Sequence, residues 1–118
     1  MVTNTTPLED DEQAAFVEYL QRRNIPHFRV PNETFTKSWK QKAKNKRLGV
    51  KRGVPDLFVF VSGQTVAIEM KRRSGGRLSV DQKYWLGVIA EHGGLSYVCK
   101  GAQEAIKVVE GIIRGDYS

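Results

Sequence analysis

The sequence predicts an α/β domain whose mixed β-sheet is flanked by helices. Two apolar runs, residues 56–61 and 65–71, lie on either side of Ser62-Gly63, a pattern typical of two strands joined by a tight turn. A third apolar run, residues 95–99, lies between two helical patterns. The predicted order of elements is α-β-β-β-α-β-α, which favours a mixed sheet with helices on both sides.

The N-terminal part of the chain predicts a helix followed by a short strand. Residues 1–7 are expected to form a loose tail. A helix over residues 8–24 is indicated by an apolar stripe formed by Phe16, Val17 and Leu20. Its first turn is acidic, as the helix dipole favours (Glu9, Asp10, Asp11 and Glu12). A strand over residues 27–30 follows.

The segment from residue 32 to residue 53 shows no periodicity and is predicted to be a mobile basic loop that contains at most a helical turn. It contains eight basic residues and no acidic residue between positions 37 and 52 (Lys37, Lys40, Lys42, Lys44, Lys46, Arg47, Lys51 and Arg52). The net charge of +6 is therefore concentrated here, as expected for contact with a polyanion such as a nucleic acid. The alternative is a solvated loop without a partner. For Trp39, inside the segment, packing as a loop anchor is favoured over stacking on an unpaired base.

The remaining elements are indicated by the residues at their ends. Ser79 and Gln82 have the spacing of a capping box, which opens a helix that ends near Gly93-Gly94. The strand over residues 95–99 follows, and a last helix spans residues 102–114. No internal repeat or second domain is indicated, so the chain of 118 residues is predicted to form one domain.

Composition excludes several classes of protein. Cys99 is the only cysteine, so an intrachain disulfide or a cysteine-rich zinc site is impossible, and a buried structural thiol is expected. The first residues lack the basic and apolar regions of a signal peptide, and no apolar run approaches membrane-spanning length. We therefore expect a cytoplasmic protein without a membrane partner.

The hairpin brings charged residues together at its open end. If the turn has two residues, Asp56 lies opposite Glu69, and directly opposed residues on antiparallel strands have Cβ atoms about 4.5–5.5 Å apart. Lys71 lies two residues beyond Glu69 and therefore points to the same face. Two carboxylates this close repel each other unless a proton or a cation lies between them, and a hard divalent cation is the natural occupant.

The order and spacing of these residues resemble a known group of nucleases. Pro55-Asp56, followed after twelve residues by Glu69-Met70-Lys71, resembles the PD-(D/E)xK nuclease superfamily. More closely, three segments and the acidic first helix resemble the VRR-NUC family of virus-type replication and repair nucleases, over about residues 8–99 (Gly53-Val54-Pro55-Asp56-Leu57, Ile68-Glu69-Met70-Lys71 and Leu78-Ser79-Val80-Asp81-Gln82).

The resemblance implies a restriction-endonuclease-like fold, dependence on Mg²⁺ or Mn²⁺, and phosphodiester hydrolysis. Stand-alone members of this length are phage proteins and resemble Holliday-junction resolvases that act as homodimers. A phage-encoded chain would work in the cytoplasm of the host cell. Asp56 and Glu69 would bind the cation together with the backbone carbonyl of Met70. Lys71 would orient or deprotonate the attacking water and offset charge on the phosphate.

Two further positions match the family pattern and have structural alternatives. Gln82 would lie beside the metal site, but its place three residues after Ser79 equally predicts a capping role. A glutamate of the first helix often completes the metal site, and Glu9 has the matching spacing. Glu12, one turn nearer, stays an alternative, as does a capping role for both acids.

The basic residues after the hairpin extend the predicted DNA contact. Arg72, Arg73 and Arg77 would bind phosphates that flank the cut, the alternative being solvent-exposed loop charge. The leading hypothesis is thus a metal-dependent DNA endonuclease that selects structure rather than sequence and resolves junctions as a homodimer. Its rivals are a non-catalytic nucleic-acid-binding module on the same fold and a sequence-specific restriction enzyme.

Overall fold

Four strands form one mixed sheet in the computed structural model, which describes residues 8–31 and 38–116. The strands lie side by side in chain order, as β1 (His27–Arg29), β2 (Leu57–Val61), β3 (Gln64–Lys71) and β4 (Leu95–Lys100). β2 is antiparallel to both β1 and β3, whereas β4 pairs in parallel with β3. The prediction of a mixed α/β sheet is confirmed, and the predicted tail over residues 1–7 lies outside the described residues.

Four helices accompany the sheet in the described part of the chain. They are α1 (Glu9–Arg22), α2 (Trp39–Leu48), α3 (Val80–Glu91) and α4 (Ala102–Arg114). The observed order is therefore α-β-α-β-β-α-β-α, with one helix more than the sequence predicted. The additional element is α2.

Helix α2 corrects the prediction of a mobile loop over residues 32–53, of which residues 32–37 lie outside the described ranges. The helix begins after Ser38, whose Oγ accepts a hydrogen bond from the backbone N–H of Gln41 at 3.4 Å. It ends at Gly49, which adopts the left-handed conformation typical of a helix end. Lysine, arginine, alanine and glutamine all favour helices. The helix escaped prediction because it buries only Asn45 and so has no apolar stripe.

One face of the sheet carries the hydrophobic core. Val66, Ile68 and Met70 alternate along β3 and are fully buried. They pack with residues of α1, β2 and α4 (Phe16, Leu20, Leu57, Val59, Ala105, Val109 and Ile112). Because side chains alternate along a strand, Glu69 and Lys71 of β3 point to the opposite face, toward α3. The core thus fixes which side of the sheet receives the charged residues.

Cys99 lies within this core, as predicted for a structural thiol. It pairs with Met70 across the parallel ladder of β3 and β4. Burial raises the pKa of the thiol to about 12, so it is not a nucleophile at neutral pH.

The hairpin has the register that the sequence predicted. Ser62 and Gly63 both have positive φ angles, of 52° and 75°, which is the geometry of a two-residue type I′ turn. Val61 pairs with Gln64, and the ladder continues to Leu57 opposite Ile68. The next pair in this register is Asp56 and Glu69.

Gly53 lets the chain pass close to the start of α3. Its φ is +80°, and a Cβ atom at this position would lie 2.5 Å from the carbonyl carbon of Asp81 and 2.7 Å from the backbone nitrogen of Gln82. The segment that leads to Asp56 therefore contacts the first turn of α3 directly.

No helix within the described ranges is long and apolar enough to cross a membrane.

Substitution of Gly53 by alanine tests this contact, with Gly49→Ala as the matched control. Both glycines have φ +80°, but a Cβ at Gly49 would meet no described atom within 4 Å. We expect Gly49→Ala to cost about 1–2 kcal/mol of unfolding free energy, from the backbone conformation alone. Gly53→Ala should cost about 1–3 kcal/mol more because of the overlap with α3. Urea denaturation of the two variants measures the difference, and equal losses would contradict a close contact at Gly53.

Candidate metal centre

Three carboxylates from separate parts of the chain meet at the open end of the hairpin. Glu9 is the first residue of α1, Asp56 directly precedes β2, and Glu69 lies in β3. One oxygen from each carboxylate lies within 4.8 Å of the others. We call these residues the acidic cluster.

Asp56 is held in place through both its backbone and its side chain. Its carbonyl oxygen accepts a hydrogen bond from the N–H of Val30 at 2.9 Å, which ties it to the end of β1. Its Oδ2 atom accepts a hydrogen bond from the N–H of Met70 at 2.8 Å. The carboxylate is therefore fixed against β3 beside Glu69. The predicted role of the Met70 carbonyl stays a prediction.

Glu69 is almost completely buried, with 1% of its surface exposed. Its two carboxylate oxygens have different surroundings. Oε2 accepts a hydrogen bond from Nε2 of Gln82 at 3.0 Å and lies 3.8 Å from Nζ of Lys71. Oε1 is buried and has no hydrogen-bond partner in the described part of the chain. A buried carboxylate oxygen without a partner is costly and is a ready ligand for a cation.

Lys71 is buried beside Glu69, with 8% of its surface exposed. The loop after β3 passes over its side chain at Gly76, where a Cβ atom would lie 2.9 Å from the Cβ of Lys71. The carbonyl oxygen of Lys71 accepts a hydrogen bond from the N–H of Gly101 at 3.0 Å. These contacts keep the ammonium group beside the acidic cluster rather than in solvent.

Gln82 makes both of the contacts that the sequence left as alternatives. Its Oε1 accepts a hydrogen bond from the N–H of Ser79 at 2.9 Å, and its own N–H donates to Oγ of Ser79 at 3.1 Å, which completes a capping box. Its Nε2 donates to Glu69. One side chain serves both purposes because an amide has separate donor and acceptor ends.

The structure separates the two candidate glutamates of α1. Glu9 lies in the acidic cluster, whereas Glu12 contacts the start of α4. Oε1 of Glu12 accepts a hydrogen bond from the N–H of Ala102 at 3.0 Å, and Oε2 lies 2.7 Å from Nε of Arg73. Gly101, which precedes α4, has no side chain to cap that helix. Glu12 supplies the missing cap from another helix, a role that no local pattern in the sequence indicates.

Burial and like charge raise the pKa of two members of the acidic cluster. The pKa of Glu69 rises to about 8, mainly because the carboxylate is buried and also because Asp56 lies beside it. The pKa of Glu9 is also raised, mainly by burial, with Lys71 acting in the opposite direction. Without a cation, the cluster therefore holds a proton more strongly than isolated carboxyl groups do.

The donor set fits a hard divalent cation. Mg²⁺ is bound by oxygens at 2.0–2.1 Å, so two ligands on opposite sides of the ion lie about 4.2 Å apart. The oxygens of the acidic cluster lie within 4.8 Å of one another, which is slightly wider than this limit. Oε1 of Glu69, buried and without a partner in the described chain, is the oxygen that a cation would satisfy.

An open, positively charged groove leads away from the acidic cluster. A cavity of about 290 Å³ is lined by Arg52, Asp56, Asp81 and Gln82, among others. A second cavity, of about 500 Å³, shares Arg52 and Asp81 with the first and continues to α2. We call this second cavity the basic groove; it is lined by Lys42, Asn45, Lys46, Val50, Lys51, Arg52 and Asp81.

The predicted DNA-binding residues are not all in this groove. Three line a different, smaller cavity on α2, of about 270 Å³ (Lys40, Lys44 and Arg47). Arg73 is paired with Glu12, while Arg72 is half-buried and Arg77 is exposed. Lys37 lies outside the described residues.

Comparison with known proteins gives a family match and a match to a solved structure. A family model described as the VRR-NUC domain matches residues 7–103. A solved structure described as "VRR_NUC domain protein" is similar with a TM-score of 0.76 and 24% sequence identity, over 93% of this chain and 91% of that chain. At this identity the structural likeness shows a shared fold. No curated protein matches the chain significantly.

The raised pKa of Glu69 predicts how the stability of the metal-free protein depends on pH. A carboxyl group whose pKa is raised on folding contributes stability that is complete below its unfolded value, 4.5, and is lost as the pH rises through about 8. In EDTA, the unfolding free energy should therefore fall between pH 5 and pH 8. Urea denaturation across this range measures the fall. Glu69→Gln, which cannot ionise, should have a flatter profile, and identical slopes for both proteins would contradict the raised pKa.

Proposed function

The chain belongs to the VRR-NUC domain family, which is of nuclease type, and we propose that it is a metal-dependent, structure-selective DNA endonuclease. The observation that carries the proposal is the acidic cluster, in which three carboxylates share one small volume beside a buried lysine. A surface hairpin with ordinary charges would not bury Glu69 and Lys71 to this extent.

The proposed cofactor is Mg²⁺ or Mn²⁺, held by Glu9, Asp56 and Glu69. When bound, such a cation polarises the scissile phosphate and lowers the pKa of a water molecule. Gln82 donates a hydrogen bond to Oε2 of Glu69, and Oε1, which has no partner in the described chain, is the oxygen proposed to bind the cation. Gln82 is thus proposed as a positioning residue.

Lys71 is the proposed catalytic cation. Its ammonium group lies 3.8 Å from Oε2 of Glu69, so it is close to the volume that a scissile phosphate would enter. There it would orient or deprotonate the attacking water and stabilise negative charge that develops on the phosphate. Burial of the side chain strengthens both effects because water is excluded around it.

DNA is the proposed substrate, with its backbone lying in the basic groove. The groove adjoins the cavity that contains Asp56, so a strand that follows Lys42, Lys46 and Arg52 reaches the acidic cluster. Contacts of this type bind phosphates irrespective of sequence. They support selection by DNA shape rather than by base sequence.

We further propose that the substrate is a four-way junction and that the protein acts as a homodimer. One acidic cluster cuts one strand, whereas resolution of a Holliday junction needs two symmetry-related cuts. A two-fold dimer supplies these cuts because each subunit presents the same site. Cleavage of branched, flapped and plain duplex substrates side by side would identify the preferred structure.

Asp56→Asn and Lys71→Ala should abolish cleavage and leave most of the DNA binding. We expect a loss of at least about 10²–10³-fold in the cleavage rate, because each change removes charge stabilisation at the reacting phosphate. The measurement is nicking of a labelled four-way junction in Mn²⁺, with binding measured in parallel by gel shift. Asp11→Asn, at an exposed position in the first turn of α1, is the matched control and should cut normally.

Two outcomes would contradict the proposal. Full activity of Asp56→Asn or Lys71→Ala would show that the acidic cluster is not the catalytic centre. A wild-type protein that binds junctions but nicks no DNA substrate would instead be a non-catalytic binding module on the same fold.

Removal of groove lysines should weaken the dependence of DNA binding on salt. Each phosphate contact adds about one to the slope of log K against log salt concentration. The double variant Lys42→Ala and Lys46→Ala should therefore lower the slope by about two. Lys107→Ala, exposed on α4, should leave it unchanged. Titration of labelled DNA at several salt concentrations measures the slopes, and equal slopes for all three proteins would place the DNA elsewhere.

A further inference from the structure

Trp39 is exposed to an unusual degree. It is the first residue of α2, and 86% of its surface is accessible. This finding overturns the expectation that Trp39 anchors the segment by packing. A tryptophan side chain carries a large apolar area, which folding normally buries. The face of the indole is therefore accessible to a partner.

The helix does not need Trp39 for its own stability. Its start is capped by Ser38, and its end is closed by Gly49. Within the helix Asn45 is buried, and its carbonyl oxygen accepts a hydrogen bond from the N–H of Val50 at 2.8 Å, which closes the C-terminal end. The indole is therefore displayed rather than packed.

Trp39 lies in line with the basic groove. It precedes Lys42 by three residues and Lys46 by seven, a spacing that places the three side chains along one stripe of a helix. Lys42 and Lys46 line the basic groove. At 1.5 Å per residue, Trp39 lies about 10 Å beyond Lys46 along the helix axis. A strand whose phosphates follow the groove would thus bring a base near the indole.

We propose that Trp39 stacks on an unpaired base of the bound nucleic acid and selects DNA with unpaired nucleotides near the cut. The inference rests on the proposed function, because it deepens the substrate preference of the same site. An indole face binds any base, and it is accessible only when the base is not stacked inside a duplex. Trp39 would therefore favour flaps, gaps and open branch points over continuous duplex.

Charge favours nucleic acid over the other partners of an exposed tryptophan. Helix α2 has no acidic residue and five basic ones within ten positions (Lys40, Lys42, Lys44, Lys46 and Arg47). At the axis of a two-fold interface this helix would meet its own copy, and two such basic helices would repel each other. A membrane surface would need an apolar helix face, whereas α2 offers only Trp39, Ala43 and Leu48 as apolar residues.

The first experiment measures binding in EDTA, where no metal-dependent cleavage competes. Labelled DNA with a single-stranded flap and the matching continuous duplex are titrated with the full chain. Trp39→Ala should weaken flap binding about 5- to 150-fold, the range that follows from loss of one stacked base. Duplex binding should change less than about 2-fold, and Trp39→Phe should retain most of the flap preference.

The control variant is Leu48→Ala, at the other end of the same helix. Leu48 is also exposed, at 61%, but has no aromatic face, so its loss should leave both affinities unchanged. A second measurement uses Trp85→Phe, which leaves Trp39 as the only tryptophan in the sequence. Its fluorescence should be quenched by the flap and much less by the duplex.

Several outcomes would overturn the proposal. One is that Trp39→Ala loses no flap binding, or loses flap binding and duplex binding equally. Another is that Trp39→Ala sediments as a monomer where the wild-type protein sediments as a dimer, because Trp39 would then contact a second copy. Binding of Trp39 to anionic vesicles instead of DNA would also overturn it. Cleavage in Mn²⁺, assayed in parallel, separates this inference from the proposed function. Selective quenching without any cleavage would support stacking and refute the nuclease. Cleavage without selective quenching would support the nuclease and refute stacking.

Discussion

The antiparallel register of β2 and β3 places Asp56 and Glu69 opposite each other, and the repulsion between them is the constraint that the surrounding structure must offset. Neither carboxylate can move away. The N–H of Met70 holds Asp56, and Gln82, in the first turn of α3, holds Glu69 through a hydrogen bond. The fold therefore holds these two carboxylates in a site where burial disfavours their charged forms. A proton or a cation must relieve that charge, and this requirement links the stability of the fold to occupation of the site.

The elements around the hairpin are tied together by residues that do not enter the acidic cluster. Glu12 joins α1 to the start of α4 and to Arg73, which follows β3. Gly101 donates its N–H to the carbonyl of Lys71 at the same place. These contacts fix the first turn of α1, and with it the position of Glu9. Glu9 thus lies in the acidic cluster, and Glu12 holds in place the helix that carries Glu9.

Opposite charges lie next to each other along one surface. The acidic cluster is at the end of the sheet, and the basic groove begins at Arg52 and Asp81, which line both cavities. A polyanion attracted by the groove is thereby led to carboxylates that would repel it in the absence of a cation. Helix α2, which lines this groove, is helical although it has no apolar stripe. Its caps and its helix-favouring residues stabilise it, while its side chains remain available to a ligand.

The sequence by itself determined that the sheet is mixed, the hairpin register and the pairing of Asp56 with Glu69, because strand alternation and a two-residue turn set which residues of the hairpin lie opposite each other. It also determined the capping box at Ser79 and Gln82, since that motif is local. The tertiary structure decided what depends on distant contacts. It placed Glu9 rather than Glu12 in the acidic cluster, because only packing sets the rotation of α1 against the sheet. It also showed α2 as a helix with an exposed Trp39, which periodicity could not reveal because the helix buries almost nothing.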